Sequence, residues 1–146
     1  MNNDIFKVLL VDDSSDDRFF LRIALKRSQK LVVIGELQDG DESIAYLKGE
    51  GKFGNRLQYP LPDIMLIDLK MPGKTGFDVL EWLMTEKMKN LTVAVMSGSW
   101  LSEDISRSMA LGAHAYFKKT SEKEEQLKMI SEIELLLEKR LPKNGI

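Results

Sequence analysis

The chain has 146 residues, 43% of them hydrophobic and 30% charged, with a net charge of −2 and no cysteine. That length suits one domain with a single core, and the balance excludes a disordered chain. The near-neutral charge excludes bulk electrostatic binding to nucleic acid or anionic membrane, and the missing thiols exclude a disulfide framework and any thiolate metal site.

The opening "MNNDIFK" holds no apolar signal segment and no run approaches membrane-spanning length, so the expectation is a soluble cytoplasmic protein. "FKVLLV" (6–11) reads as a buried strand and runs straight into Asp12 and Asp13. Ser14 and Ser15 are cap candidates for a helix with Phe20, Leu21, Ala24 and Leu25 on one face; Asp16 and Asp17 suit its first turn. "LVVIGEL" (31–37) is the second strand, and Ile44, Ala45 and Leu47 mark the second helix. The connection "KGEGKFGNRLQYPLP" (48–62) is long for its place, and Gly49, Gly51, Gly54, Pro60 and Pro62 argue against a hidden helix. Its polar stretch "GNRL" reads as surplus to closing the fold and available for a partner. "DIMLID" (63–68) is the third strand, ending at Asp68, and Phe77, Leu80, Leu83, Met84 and Met88 mark the third helix. "TVAVMS" (92–97) ends at Ser97 and precedes a short helix with Ile105 and Met109 that stops at Gly112. "AYFKK" (115–119) ends at Lys119; a last helix over about 122–141 turns Leu127, Ile130, Ile133 and Leu137 inward and stops before Pro142.

Five strands alternating with five helices predict an α/β fold, a doubly wound flavodoxin-like (βα)5 parallel sheet in the order 2-1-3-4-5. In that order the switch point lies between the first and third strands, and ligands sit at their carboxyl ends. Asp12, Asp13 and Asp68 stand there. Three carboxylates in one crevice ionise together only if a cation compensates them, and an all-oxygen donor set suits Mg²⁺. Such an ion neutralises a phosphoryl group, and an Asp carboxylate can then be the nucleophile that forms an aspartyl phosphate. Ser97 adds a hydroxyl donor and Lys119 a compact cation at the remaining strand ends.

With "KVLLVDD", "LIDLKMPGKTG", "VAVMSG" and "GAHAYFKK" in place, the whole chain resembles the receiver domains of two-component response regulators. The resemblance implies a phosphoprotein of signal transduction, not an enzyme, which accepts a phosphoryl group from a sensor histidine kinase or phosphotransfer protein. It implies Asp68 as phosphoacceptor, Asp12 and Asp13 as the Mg²⁺-binding pair, and the Lys70 backbone carbonyl as a further metal ligand. Lys119 would contact the phosphate, with Ser97 and Tyr116 as the switch pair; Lys70 and Ser99 would tune the lifetime of the phosphoryl group. The long connection and the length over 1–146 are similar to stand-alone receivers that partner phytochrome-type kinases and lack an output domain. A homodimer through the surface of the fourth helix, fifth strand and fifth helix is left open, as are the kinase and the downstream target.

The chain departs from the family where Thr120 replaces the usual proline after the lysine. A cis bond to a non-proline costs about 2.5–4 kcal/mol, so a trans Lys119–Thr120 bond is expected. Asp12 and Asp13 alone would fit a capping pair, and Tyr116 fits ordinary strand core as well as a switch. His114 reads as a strand-edge residue. A phosphatase of the haloacid dehalogenase type would need an acid where Lys70 stands, and "DDSSDD" would repel the phosphates of a nucleotide or flavin. A phosphorylation-independent binding module on the same fold is the alternative.

Overall fold

The inner strands of the sheet are buried on both faces, so they need cover on both sides, and the chain supplies it by alternating strands with helices. The computed structural model describes residues 4–140. The strands are β1 (Phe6–Val11), β2 (Leu31–Leu37), β3 (Ile64–Ile67), β4 (Thr92–Ser97) and β5 (Ala115–Lys118). The helices are α1 (Ser15–Leu25), α2 (Gly40–Lys48), α3 (Gly76–Glu86), α4 (Ser102–Ala110) and α5 (Lys123–Arg140). All neighbouring strands are parallel, in the order β2-β1-β3-β4-β5. The anticipated stop of the last helix at Leu141 and Pro142 lies outside the described residues.

Period-2 alternation sorts the strand residues between two cores. Leu9, Val11, Met65, Ile67, Val93 and Val95 face α2 and α3, where Tyr46, Leu47, Val79 and Leu80 meet them. Val8, Leu10, Ile64, Leu66, Ala94 and Met96 face α1 and α5, against Leu25, Met129, Ile130, Ile133 and Leu137. Burying each Leu, Ile, Val or Met fully stabilises the fold by about 1.5–3 kcal/mol.

Several helical faces differ from the pattern read in the sequence. Phe20 is 61% exposed, because α1 turns Ala24 and Leu25 to the sheet and Phe20 lies a rotational step away, edge-on to Phe19. Met84, Met109 and Leu127 are exposed as well. In α5 the stripe runs through Met129, Ile133 and Leu137 at four-residue spacing, which leaves Leu127 to one side. In α4 the fully buried residue is Ser108, whose hydroxyl donates to the Asp104 carbonyl at 2.7 Å.

The long connection is folded, not open. After Gly49, in the left-handed region at φ 73, the segment Gly51–Gly54 forms a 3-10 helix in spite of its glycines. That turn buries Phe53 against Tyr46 and Tyr59, with ring centroids 5.0 and 5.2 Å away. Arg56, in the stretch read as surplus, donates to the carbonyls of Tyr46, Leu47 and Tyr59 at 2.8, 2.9 and 3.2 Å. Two of these are last-turn carbonyls of α2, that of Tyr46 shared with the Gly49 amide at 3.1 Å, so the side chain caps the helix.

Candidate functional site at the carboxyl ends of the strands

β1 and β3 lie side by side, and their ends bring distant acids together. The Asp12 amide donates to the Leu37 carbonyl at 3.0 Å and the Asp68 amide to the Val11 carbonyl at 2.9 Å, so both backbones continue the ladder. Asp12 Oδ1 accepts from the Ser14 amide at 2.9 Å, and the Arg18 guanidinium donates to the Asp12 carbonyl. Beneath Asp68 the first turn of α3 approaches so closely that a Cβ on Gly76 would stand 2.4 Å from the Asp68 carbonyl oxygen. Glycine is required there for the helix to pack against the strand end. The capping box of Thr75 and Asp78 starts that helix at this point, and the Thr75 amide bond holds the Asp78 carboxyl below the usual carboxylate range.

Asp12, Asp13 and Asp68 each place a carboxylate oxygen within 4.8 Å of the others. Asp12 and Asp68 are buried and Asp13 is exposed, so the cluster opens to solvent through Asp13. Three hard oxygen donors this close fit a divalent cation of the Mg²⁺ or Mn²⁺ kind. Lys119 reaches the same cluster from β5, its Nζ 2.7 Å from Asp12 Oδ2 and 3.0 Å from Asp68 Oδ2. Burial pushes the Asp68 carboxyl above the usual range, against the opposing pull of the Lys119 hydrogen bond. Burial alone would lower the Lys119 ammonium, but its bonds to Asp12, Asp17 and Asp68 outweigh that and hold it above the usual lysine range.

Ser97 is 1% exposed at the end of β4, and its Oγ accepts from the Ser99 amide at 3.1 Å. The Ser99 hydroxyl donates to Asp104 Oδ2 at 2.6 Å, and the Tyr116 hydroxyl donates to the Ser99 carbonyl at 2.9 Å. A cleft of about 460 Å³ opens between Asp68, Lys70, Ser97, Ser99 and Lys119. Lys70 is exposed at its rim, with its amide 3.4 Å from Asp68 Oδ1. No cis peptide occurs among the described residues, so the Lys119–Thr120 bond is trans, as its missing proline led one to expect. Lys118 turns the other way and lies over the Trp100 ring at 5.3 Å. His114 borders β5, its Nδ1 accepting from the Val93 amide at 3.1 Å.

One participant was misread in the sequence. Asp17, assigned only to the first turn of α1, has its Oδ2 2.7 Å from Lys119 Nζ. The signal that could have found it is its place one helical turn beyond Asp13, on the side of α1 that overhangs the strand ends.

A doubly wound sheet with acids and a lysine gathered at its switch point defines a class of signalling domain that carries a phosphoryl group on an acidic cluster. The comparisons name the family: the response regulator receiver domain matches residues 8–131, and the chain belongs to it. Response regulator Rcp1 of Synechocystis sp. is 31% identical over 131 residues, covering 87% of this chain and 85% of Rcp1. The phosphorylated cyanobacterial phytochrome response regulator RcpA superposes with a TM-score of 0.76 at 29% identity, covering 94% of this chain and 97% of that one. The Mn²⁺-bound form of Rcp1 gives a TM-score of 0.74 at 28% identity, over 96% of this chain and 99% of that one. Receiver domains partner histidine kinases or phosphotransfer proteins. Among the described residues no helix is long and apolar enough to cross a membrane.

Proposed function

We propose that this receiver accepts a phosphoryl group on Asp68, in a Mg²⁺-dependent reaction, from a phosphohistidine of a sensor kinase or phosphotransfer protein. The observation that carries the reading is the buried Asp68 carboxylate, paired with Lys119 at 3.0 Å and clustered with Asp12 and Asp13. An Asp68 oxygen attacks phosphorus; the new P–O bond forms as the P–N bond breaks, and the donor imidazole leaves with the bonding pair. Asp12, Asp13, Asp68 and the Lys70 carbonyl would hold the ion. Mg²⁺ supplies charge neutralisation for the phosphoryl oxygens. Lys119 would add a second positive charge beside Asp68. The Ser97 hydroxyl, which already accepts from Ser99, keeps its own proton to donate to a phosphoryl oxygen.

Switching follows from the same contacts. Drawing Ser97 Oγ towards a phosphoryl oxygen breaks its bond to the Ser99 amide, and Ser99 is the residue whose carbonyl holds Tyr116. The change is thereby relayed to the surface of α4, β5 and α5. The phosphoryl group is long-lived in this reading, because the Ser99 hydroxyl is committed to Asp104 and Lys70 offers a cation where an in-line water would need an acceptor. The similarity to RcpA supports a phytochrome-type kinase as the donor.

The test is labelling by acetyl phosphate with Mg²⁺. Base-labile label in the wild type, lost in Asp68→Asn, supports the reading. Metal binding without any label would favour the phosphorylation-independent binding module instead.

A further inference from the structure

The Lys119 ammonium has three N–H donors and three carboxylates around it: Asp12 and Asp17 at 2.7 Å and Asp68 at 3.0 Å. Two of these acids belong to the trio whose oxygens converge within 4.8 Å; Asp17 does not. A dication at the trio competes with the ammonium for Asp12 and Asp68 and repels it. Asp17 keeps its carboxylate free of that competition.

We propose that Asp17 is a positioning residue, which retains Lys119 beside Asp68 when a divalent cation takes over Asp12. The inference rests on the phosphoacceptor reading above. Both partners are anchored through their backbones: the Asp17 amide donates to Ser14 Oγ at 3.2 Å, and the Lys119 amide to the Ser97 carbonyl at 2.8 Å. Their pairing joins the first turn of α1 to the end of β5 across 102 residues of chain.

The effect on metal binding comes from a difference between two states. Without the cation, an ammonium deprived of Asp17 still has Asp12 and Asp68. With the cation bound, it has lost Asp12 and shares Asp68, so Asp17 is the partner it depends on. Removing Asp17 therefore costs the metal-bound state more than the free one. Asp16 supplies a control, since it carries the same charge in the same helical turn and is exposed.

The experiment is a calorimetric Mg²⁺ titration of the wild type, Asp17→Asn, Asp16→Asn, Lys119→Gln and the Asp17→Asn/Lys119→Gln pair, with circular dichroism to verify folding. Asp17→Asn should weaken Mg²⁺ binding about three- to tenfold, the range for a charge-assisted bond that is partly solvated. Asp16→Asn should weaken it by less than about twofold, because solvent screens an exposed charge. In the Lys119→Gln background, adding Asp17→Asn should have no more effect than Asp16→Asn has in the wild type. Labelling by acetyl phosphate at saturating Mg²⁺ should also slow in Asp17→Asn. Equal weakening by the two Asp→Asn variants, or the same loss with and without Lys119, overturns the positioning role while the wild type still binds Mg²⁺ and takes label. A wild type that binds no Mg²⁺ and takes no label overturns the phosphoacceptor reading and this inference with it.

Discussion

The Tyr116 hydroxyl donates to the backbone carbonyl of Ser99 at 2.9 Å, tying β5 to the loop that follows β4. The Ser99 amide is held from the other side by Ser97 Oγ, so one residue carries both bonds. Tyr116→Phe removes the outer bond and leaves the ring. Trp100, 60% exposed in that loop, reports the change. The expected outcome is an altered Trp100 emission in the free variant and a smaller further change on adding beryllofluoride with Mg²⁺. Emission that responds to beryllofluoride to the same extent in both proteins would refute the relay through Ser99.

Asp68→Asn should abolish labelling and also make the metal-free fold more stable at neutral pH. Burial raises the Asp68 carboxyl above its ordinary 3.8, so the folded state binds that proton more tightly than the unfolded chain. The stability this gives is present below the ordinary value and is lost as pH rises through the raised one. An ionised Asp68 therefore burdens the fold at neutrality, and an asparagine does not. The urea midpoint of Asp68→Asn in chelator should exceed that of the wild type, by a margin that shrinks towards pH 3.8. A lower midpoint at neutral pH would contradict this electrostatic account.

Arg56→Ala should destabilise the protein by about 2 kcal/mol, because it strips a charged donor from three carbonyls. Phe53→Ala, which empties the space between Tyr46 and Tyr59, should cost about 3 kcal/mol. Urea unfolding measures both. Changes below about 0.5 kcal/mol, the scale of ordinary surface substitutions, would return the long connection to the status of a passive loop.

Gly76→Ala tests how α3 sets Asp68, the proposed phosphoacceptor. The added methyl would stand 2.4 Å from the Asp68 carbonyl oxygen and 2.9 Å from Leu69 Cα, so the helix or the strand end must move. A loss of about 1–3 kcal/mol is expected, together with slower labelling by acetyl phosphate. Wild-type stability and labelling rate would show that the helix yields without disturbing Asp68.

Lifetime can be read by following loss of label in the wild type, Lys70→Asn, Ser99→Glu and the double variant. The wild type should decay slowly and the double variant faster, by about tenfold, less than the ~10²–10⁴-fold of a fully positioned acid–base group because two surface substitutions place the water only loosely. Identical decay in all four proteins would remove Lys70 and Ser99 from the account.

The sequence by itself determined the sheet and the acids. An apolar run needing cover on both faces is a local property, and so is a charged residue at its end. β1, β2 and β4 accordingly coincide with the runs read at 6–11, 31–37 and 92–97, while β3 and β5 are shorter at their ends only. The order 2-1-3-4-5 followed from general rules of handedness and winding. From that order Asp12, Asp13 and Asp68 met at one switch point, and the clustering within 4.8 Å agrees. Tertiary structure decided which partner each side chain takes. Asp17 meets Lys119 across 102 residues because α1 overhangs the end of β5, an angle that no helical period encodes. Tyr46 is buried because Phe53 and Tyr59 fold back over it, and Phe20 is exposed because the helix rotation that seats Ala24 and Leu25 turns it away. Arg56 became a helix cap, where its neighbours in sequence promised only solvent. Periodicity reports which face of an element is apolar; the rotation and reach that pair two side chains are set by packing of the whole.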